Sequence, residues 1–155
     1  MLHGSATATV VAPPDRVFGL VTDISRLPEW NALMTQVVEI PAVLAEGSEW
    51  VVACKAMGVM RWHSRSRCEE LDPVARRLRH RSGTDDGNPS FACWTWDVAP
   101  DGDNSSVTVS WELHPSTFIR RVAMSRMRQR MLTGEVEASL HALALLAVVP
   151  GRKQP

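Results

Sequence analysis

The chain contains no tyrosine, and Lys55 and Lys153 are its only lysines. The first absence removes the phenol from any chemistry the protein performs. Lys+Arg and Asp+Glu both total 17, so the chain lacks the basic excess of a dedicated nucleic-acid binder. Its three cysteines, Cys54, Cys68 and Cys93, form no CxxC pair and cannot all be paired. That pattern argues against a zinc-finger framework and a disulfide scaffold, and free thiols fit a reducing compartment. The N-terminus lacks the basic-then-apolar layout of a secretory leader. The most apolar run, Leu143 to Val149, is far too short to span a bilayer. A cytoplasmic location is expected. Repeats, low-complexity tracts and linkers are also missing. The 155 residues are therefore expected to form one domain, with its core over about 6–147 and a short disordered tail at 150–155.

What is present is ordered. A β-branched-rich run over 6–12 predicts a first strand. Pro13-Pro14-Asp15 then opens a helix with Val17, Phe18, Leu20 and Val21 as its apolar face. Thr22-Asp23 ends it and caps a shorter helix over 25–27, and Pro28 is expected to bend the chain before Trp30-Asn31. Period-two strands follow at 35–41, 49–57, 59–71, 75–84, 90–98 and 106–114, with turn residues between them. Ser116 caps one long helix reaching Ala147. Its main stripe is Phe118, Val122, Leu132, Val136, Leu140 and Leu143, interrupted by Ser125 and Gln129, with Gly134 near the centre. Met124, Met127 and Met131 lie nearly opposite. Methionine suits adaptable apolar surfaces, so this row is a candidate contact for a homodimer, or is brought partly inward by a kink at Gly134.

This order, with the residues Val10-Val11-Ala12-Pro13-Pro14-Asp15-Arg16-Val17-Phe18, Val21-Thr22-Asp23 and Leu27-Pro28-Glu29-Trp30-Asn31, resembles the START-like polyketide cyclase/dehydrase and lipid-transport (SRPBCC) superfamily. Gly47-Ser48-Glu49-Trp50 and Leu71-Asp72-Pro73 look like its third-strand start and its turn between the fourth and fifth strands. The resemblance implies an α+β helix-grip fold: a curved seven-stranded antiparallel sheet with two short helices, wrapped around a long C-terminal helix. It also implies a hydrophobic cavity between sheet and helix. Family members bind lipids, hormones or polyketides, and some are cyclases or aromatases; fold alone does not choose among these.

The arginines identify the cavity side. In a strand, successive side chains point to opposite faces, and burying unpaired arginines in a row costs several kcal/mol each. Arg61, His63, Arg65 and Arg67 therefore face water, and Trp62, Ser64, Ser66 and Cys68 face inward. The same test puts Leu78, His80 and Ser82 inside, against Arg77, Arg79 and Arg81 outside. Trp50, Cys54, Trp94, Trp96 and Trp111 join the inner set. Two readings stand: the rings fill the core, or they line a pocket of modest or divided volume for a flat or greasy ligand. The candidate ligand-binding residues are Trp50, Cys54, Trp62, Ser64, Ser66, His80, Trp94, Trp96 and Trp111, with Ser125 and Gln129 from the helix. The resemblance puts Trp30 and Asn31 where family members place a residue at the cavity rim, and Trp30 reads first as a structural plug against the sheet.

Catalysis is weakly signalled. His80 is the one inward titratable group of interest, as a general base or as a hydrogen-bonded core histidine. Acids are sparse on the inner face, and Cys54 and Cys68 have no activating base. No two histidines have metal-ligand spacing, so neither a metal nor a cofactor is expected. Binding or carriage of a small hydrophobic or aromatic ligand is the leading expectation. The alternatives are a cyclase- or aromatase-type enzyme, or a macromolecule-interaction module using the arginine-rich face or the methionine row. Binding of nucleic acid through that face is not favoured, because no outward aromatic rows interleave with its arginines.

Overall fold

The computed structural model describes residues 2–56, 58–115 and 126–148, with side chains described from Arg130 onward in the last stretch. Strand β1 (Leu2–Val10) leads into α1 (Pro14–Thr22), a 3-10 turn (Ile24–Arg26) and α2 (Leu27–Trp30). Six strands follow: β2 (Met34–Glu39), β3 (Glu49–Ala56), β4 (Met60–Asp72), β5 (Arg77–Thr84), β6 (Phe91–Asp101) and β7 (Asn104–His114). The last element is α3 (Arg126–Val148). All pairings are antiparallel, in the order β1-β7-β6-β5-β4-β3-β2. The long helix packs against β1, α1 and α2. This is the helix-grip arrangement.

Turn chemistry sets the hairpins. β6 and β7 are joined by a two-residue turn whose first residue, Gly102, sits at φ +59°, as a primed hairpin turn requires. Between β4 and β5, Asp72 Oδ1 accepts the N–H groups of Val74 and Ala75 at 3.0 and 2.9 Å, which closes the turn locally.

Three expectations are corrected. β1 starts at Leu2 rather than Ala6, because Leu2–Val10 pairs residue for residue with β7 and the ladder carries even Gly4. Pro28 does not bend the chain before Trp30. It stands in the first turn of α2, where a missing N–H costs nothing, and Trp30 closes that helix. Strict alternation also fails once in β4: Cys68 pairs with His80, but Glu70 rather than Glu69 pairs with Arg79. Glu69 is the extra residue of a β-bulge. It turns outward beside Glu70, and Leu71 returns to the inner face.

The convex face is wet and salt-bridged. Arg65 meets Asp85 at 2.9 Å, Arg77 meets Asp97 at 2.7 Å and Arg81 meets Glu69 at 3.7 Å. Arg65 holds the Asp85 carboxyl below its ordinary pKa through their hydrogen bond. Exposed pairs of this kind contribute little stability each. Among the outward arginines of β4 and β5, Arg65, Arg77 and Arg81 thus find acidic partners on the same face.

In α3 the stripe residues Leu132, Val136, Leu140 and Leu143 are buried. Residues 130–148 are long and apolar enough to cross a membrane by composition, with mean hydropathy 1.4. Here their stripe packs into the protein's own core. Ser116, Phe118, Val122, Met124 and Ser125 lie outside the described residues, as do the side chains of Met127 and Gln129. The helix runs uninterrupted through Gly134, and a Cβ there meets nothing within 4 Å. Gly134→Ala should therefore stabilise the protein by about 1 kcal/mol, read as a raised urea midpoint at unchanged m-value.

Candidate functional site

Alternation along four neighbouring strands delivers one wall of a cavity of about 200 Å³. β3 supplies Trp50 and Cys54, and β4 supplies Trp62, Ser64 and Ser66. β5 adds Leu78, His80 and Ser82; β6 adds Trp94 and Trp96. The opposite wall comes from Trp30 and Asn31 at the end of α2 and from Leu132, Glu135, Val136 and Ser139 of α3.

Eight of the residues singled out from the sequence thus meet here. Trp111 does not. It is buried on the inner face, but its indole lies over Gly4 of β1: a Cβ on Gly4 would stand 2.5 Å from Trp111 Cζ2. Ser125 and Gln129 lie outside the described side chains.

Four further lining residues matter for the chemistry of the wall. Trp30 both plugs the core and forms cavity wall, with its ring edge-on to Trp96 at 5.4 Å and 81°. Ser82 shares the inner parity of His80, and its Oγ accepts the Trp94 indole N–H at 3.0 Å. Glu135 and Ser139 lie between the stripe positions 132, 136 and 140, a helical spacing that was legible. Glu135 brings one acid to the cavity wall, from the helix rather than from the sheet. Ser139 Oγ accepts the Ala32 N–H at 2.9 Å and donates to the Glu135 carbonyl at 2.9 Å, which ties the end of α2 to α3.

Burial sets the electrostatics of the site. Burial pushes the Cys54 thiol up to about 11, so it is protonated and inert at neutral pH. Burial pushes His80 down to about 4, so its imidazole is neutral. The ring packs against Trp50 at 5.3 Å, and its accessible remainder faces the cavity. Among the described residues, three buried polar atoms on lining side chains have no hydrogen-bond partner: Trp30 Nε1, Trp50 Nε1 and His80 Nδ1.

The sequence matches the family described as polyketide cyclase / dehydrase and lipid transport over residues 1–148. The chain belongs to this family. Several solved structures share the fold of this polyketide cyclase / dehydrase and lipid transport family member. The Zhui aromatase/cyclase from Streptomyces sp. R1128 superposes with TM-score 0.75 at 17% identity, covering 99% of both chains. The protein TTHA0849 from Thermus thermophilus gives 0.75 at 21% identity, covering 95% of this chain and 97% of that one. The di-domain ARO/CYC protein BexL, from the BE-7585A biosynthetic pathway, gives 0.74 at 21% identity; the match covers 97% of this chain and 48% of BexL. At these identities the likeness establishes the fold. No curated protein sequence matches the chain.

Proposed function

We propose that the protein binds and carries a small, flat, mostly apolar ligand that bears one or two hydrogen-bonding groups. The observation behind this reading is the set of three buried polar atoms, unpartnered among the described residues, on a mostly apolar wall that includes five tryptophans. An unmade hydrogen bond at a buried donor or acceptor costs about 1–3 kcal/mol. The three atoms are themselves closed to water, so a bound polar group gains that amount where the side chain turns to meet it; the indole rings supply the apolar contact.

Volume narrows the class. An engineered cavity of about 150 Å³ takes benzene, and drug-sized ligands occupy about 300–1,000 Å³. At about 200 Å³, this cavity suits one or two fused rings rather than a long acyl chain or a four-ring polyketide. Titration of tryptophan fluorescence with 2-naphthol and with naphthalene tests the reading. We expect saturable quenching by both, with 2-naphthol about tenfold tighter, the equivalent of one hydrogen bond of about 1.4 kcal/mol. Equal affinities would remove the polar anchors from the argument; no saturable quenching by either would end the binding reading.

Enzymatic action of the cyclase or aromatase type is the second reading, supported by family membership and by His80 beside the inward serines. The basicity of His80 weighs against it, because a general base works best with a pKa near the operating pH, and His80 lies about three units lower. Native mass spectrometry of gently purified protein separates the two readings. A retained small molecule released unchanged supports carriage; conversion of that molecule supports catalysis.

A further inference from the structure

We propose a divalent metal site on the convex face of the sheet, on the other side from the cavity, with Cys93, Glu112 and His114 as its protein ligands. Their ligand atoms all lie within 4.8 Å of one another. No local spacing announces the group. It is assembled by the register of β6 on β7, which sets Cys93 directly opposite Glu112 and Phe91 opposite His114. Directly opposed residues of an antiparallel pair have Cβ atoms about 4.5–5.5 Å apart, a separation that one metal ion can bridge.

The donor set suits a borderline-soft ion of the zinc class: one thiolate sulfur, one imidazole nitrogen and one carboxylate oxygen. Zinc bond lengths of about 2.0–2.3 Å place tetrahedral ligands about 3.3–3.6 Å apart. His114 Nε2 and Glu112 Oε2 already stand at 3.5 Å. Cys93 has only to swing its sulfur toward them.

The surroundings support the geometry. Cys93 falls on the outward parity of β6 yet is only 5% exposed, so its thiol sits in a sheltered seat. Phe91 stacks on the His114 ring at 4.5 Å and 15°, which fixes the imidazole's plane. The neighbouring cation, Arg81, is paired with Glu69 at 3.7 Å and lies over Phe91. Glu69 Oε1 stands 3.9 Å from Cys93 Sγ and brings further negative charge to the rim. Three protein ligands leave the fourth position to water. On binding, the Cys93 thiol passes its proton to solvent and its sulfur forms the bond to the metal, with no change of oxidation state.

Titration of reduced, chelator-stripped protein with Co²⁺ and then Zn²⁺ tests the site. The expected result is one Co²⁺ per chain, a thiolate-to-cobalt charge-transfer band, and loss of that band as Zn²⁺ displaces it. Cys93→Ser should abolish the band, His114→Gln should weaken Zn²⁺ binding about tenfold or more, and Cys54→Ser should leave both unchanged. Absence of the band at stoichiometric Co²⁺, or a band that survives in Cys93→Ser, overturns the proposal. Should Cys93→Ser fail to fold, the half-exposed His114→Gln decides, because unchanged affinity there is equally fatal.

Discussion

Acidification from pH 6.5 to 4 should cost the folded protein about 3 kcal/mol through His80 alone, and His80→Leu should remove that component. The folded pKa of about 4 lies below the ordinary histidine value of 6.5 because burial penalises the imidazolium. Above pH 6.5 both folded and unfolded forms keep the ring neutral, and the contribution is fully present. As pH falls, the unfolded chain takes up a proton that the folded protein refuses, so stability declines until the folded pKa is reached. At 1.36 kcal/mol per unit, the interval gives about 3 kcal/mol. Urea midpoints at pH 7, 5.5 and 4 measure it. Carboxylates titrate in both proteins, so the difference between wild type and His80→Leu isolates the histidine; parallel curves would refute the assignment. The substitution also removes the unpartnered Nδ1. At pH 7 the ligand-free variant should be at least as stable as the wild type while binding 2-naphthol more weakly, the usual trade at a binding site.

Gly4→Ala should destabilise the protein by about 2 kcal/mol, although alanine ordinarily improves on glycine within a strand. The new methyl would stand 2.5 and 2.7 Å from two ring atoms of Trp111. That indole is held in the core and is 5% exposed, so it cannot step aside cheaply. A double-mutant cycle checks the cause. With Trp111→Leu in place the obstruction is gone, and Gly4→Ala should become neutral or mildly stabilising. An equal loss in both backgrounds would mean the contact is not responsible.

These two sites mark where sequence reading succeeded and where it stopped. The charged members of Arg61–Arg67 cannot be buried, so alternation alone put Trp62, Ser64 and Ser66 on the inner face, and the same logic found His80. Alternation says which face a side chain takes, but not the direction in which a large ring then lies. Trp111 is inward as expected, yet it leans over a glycine of an edge strand far away in sequence, a contact set by the β1–β7 register. Glu135 and Ser139 were passed over for a different reason. They stand one position to the side of Val136 and Leu140, and whether that flank meets a void depends on how the helix is turned against the sheet. The Cys93, Glu112 and His114 group depends wholly on strand pairing, and no inspection of spacing along the chain would have assembled it.

The bulge at Glu69 gives the sheet one residue that can be spared without reversing any face. Deleting Glu69 would leave Cys68 opposite His80 and Glu70 opposite Arg79, with Leu71 still inward. Deleting a residue elsewhere in β4 would turn the following part of the strand inside out. The extra residue also bends its strand, and this bend lies beside Cys68, the partner of His80 on the cavity wall. Chain length at this point therefore works as a dial on curvature. Related chains that gained or lost a residue here would keep the same inward side chains while enclosing a space of different size.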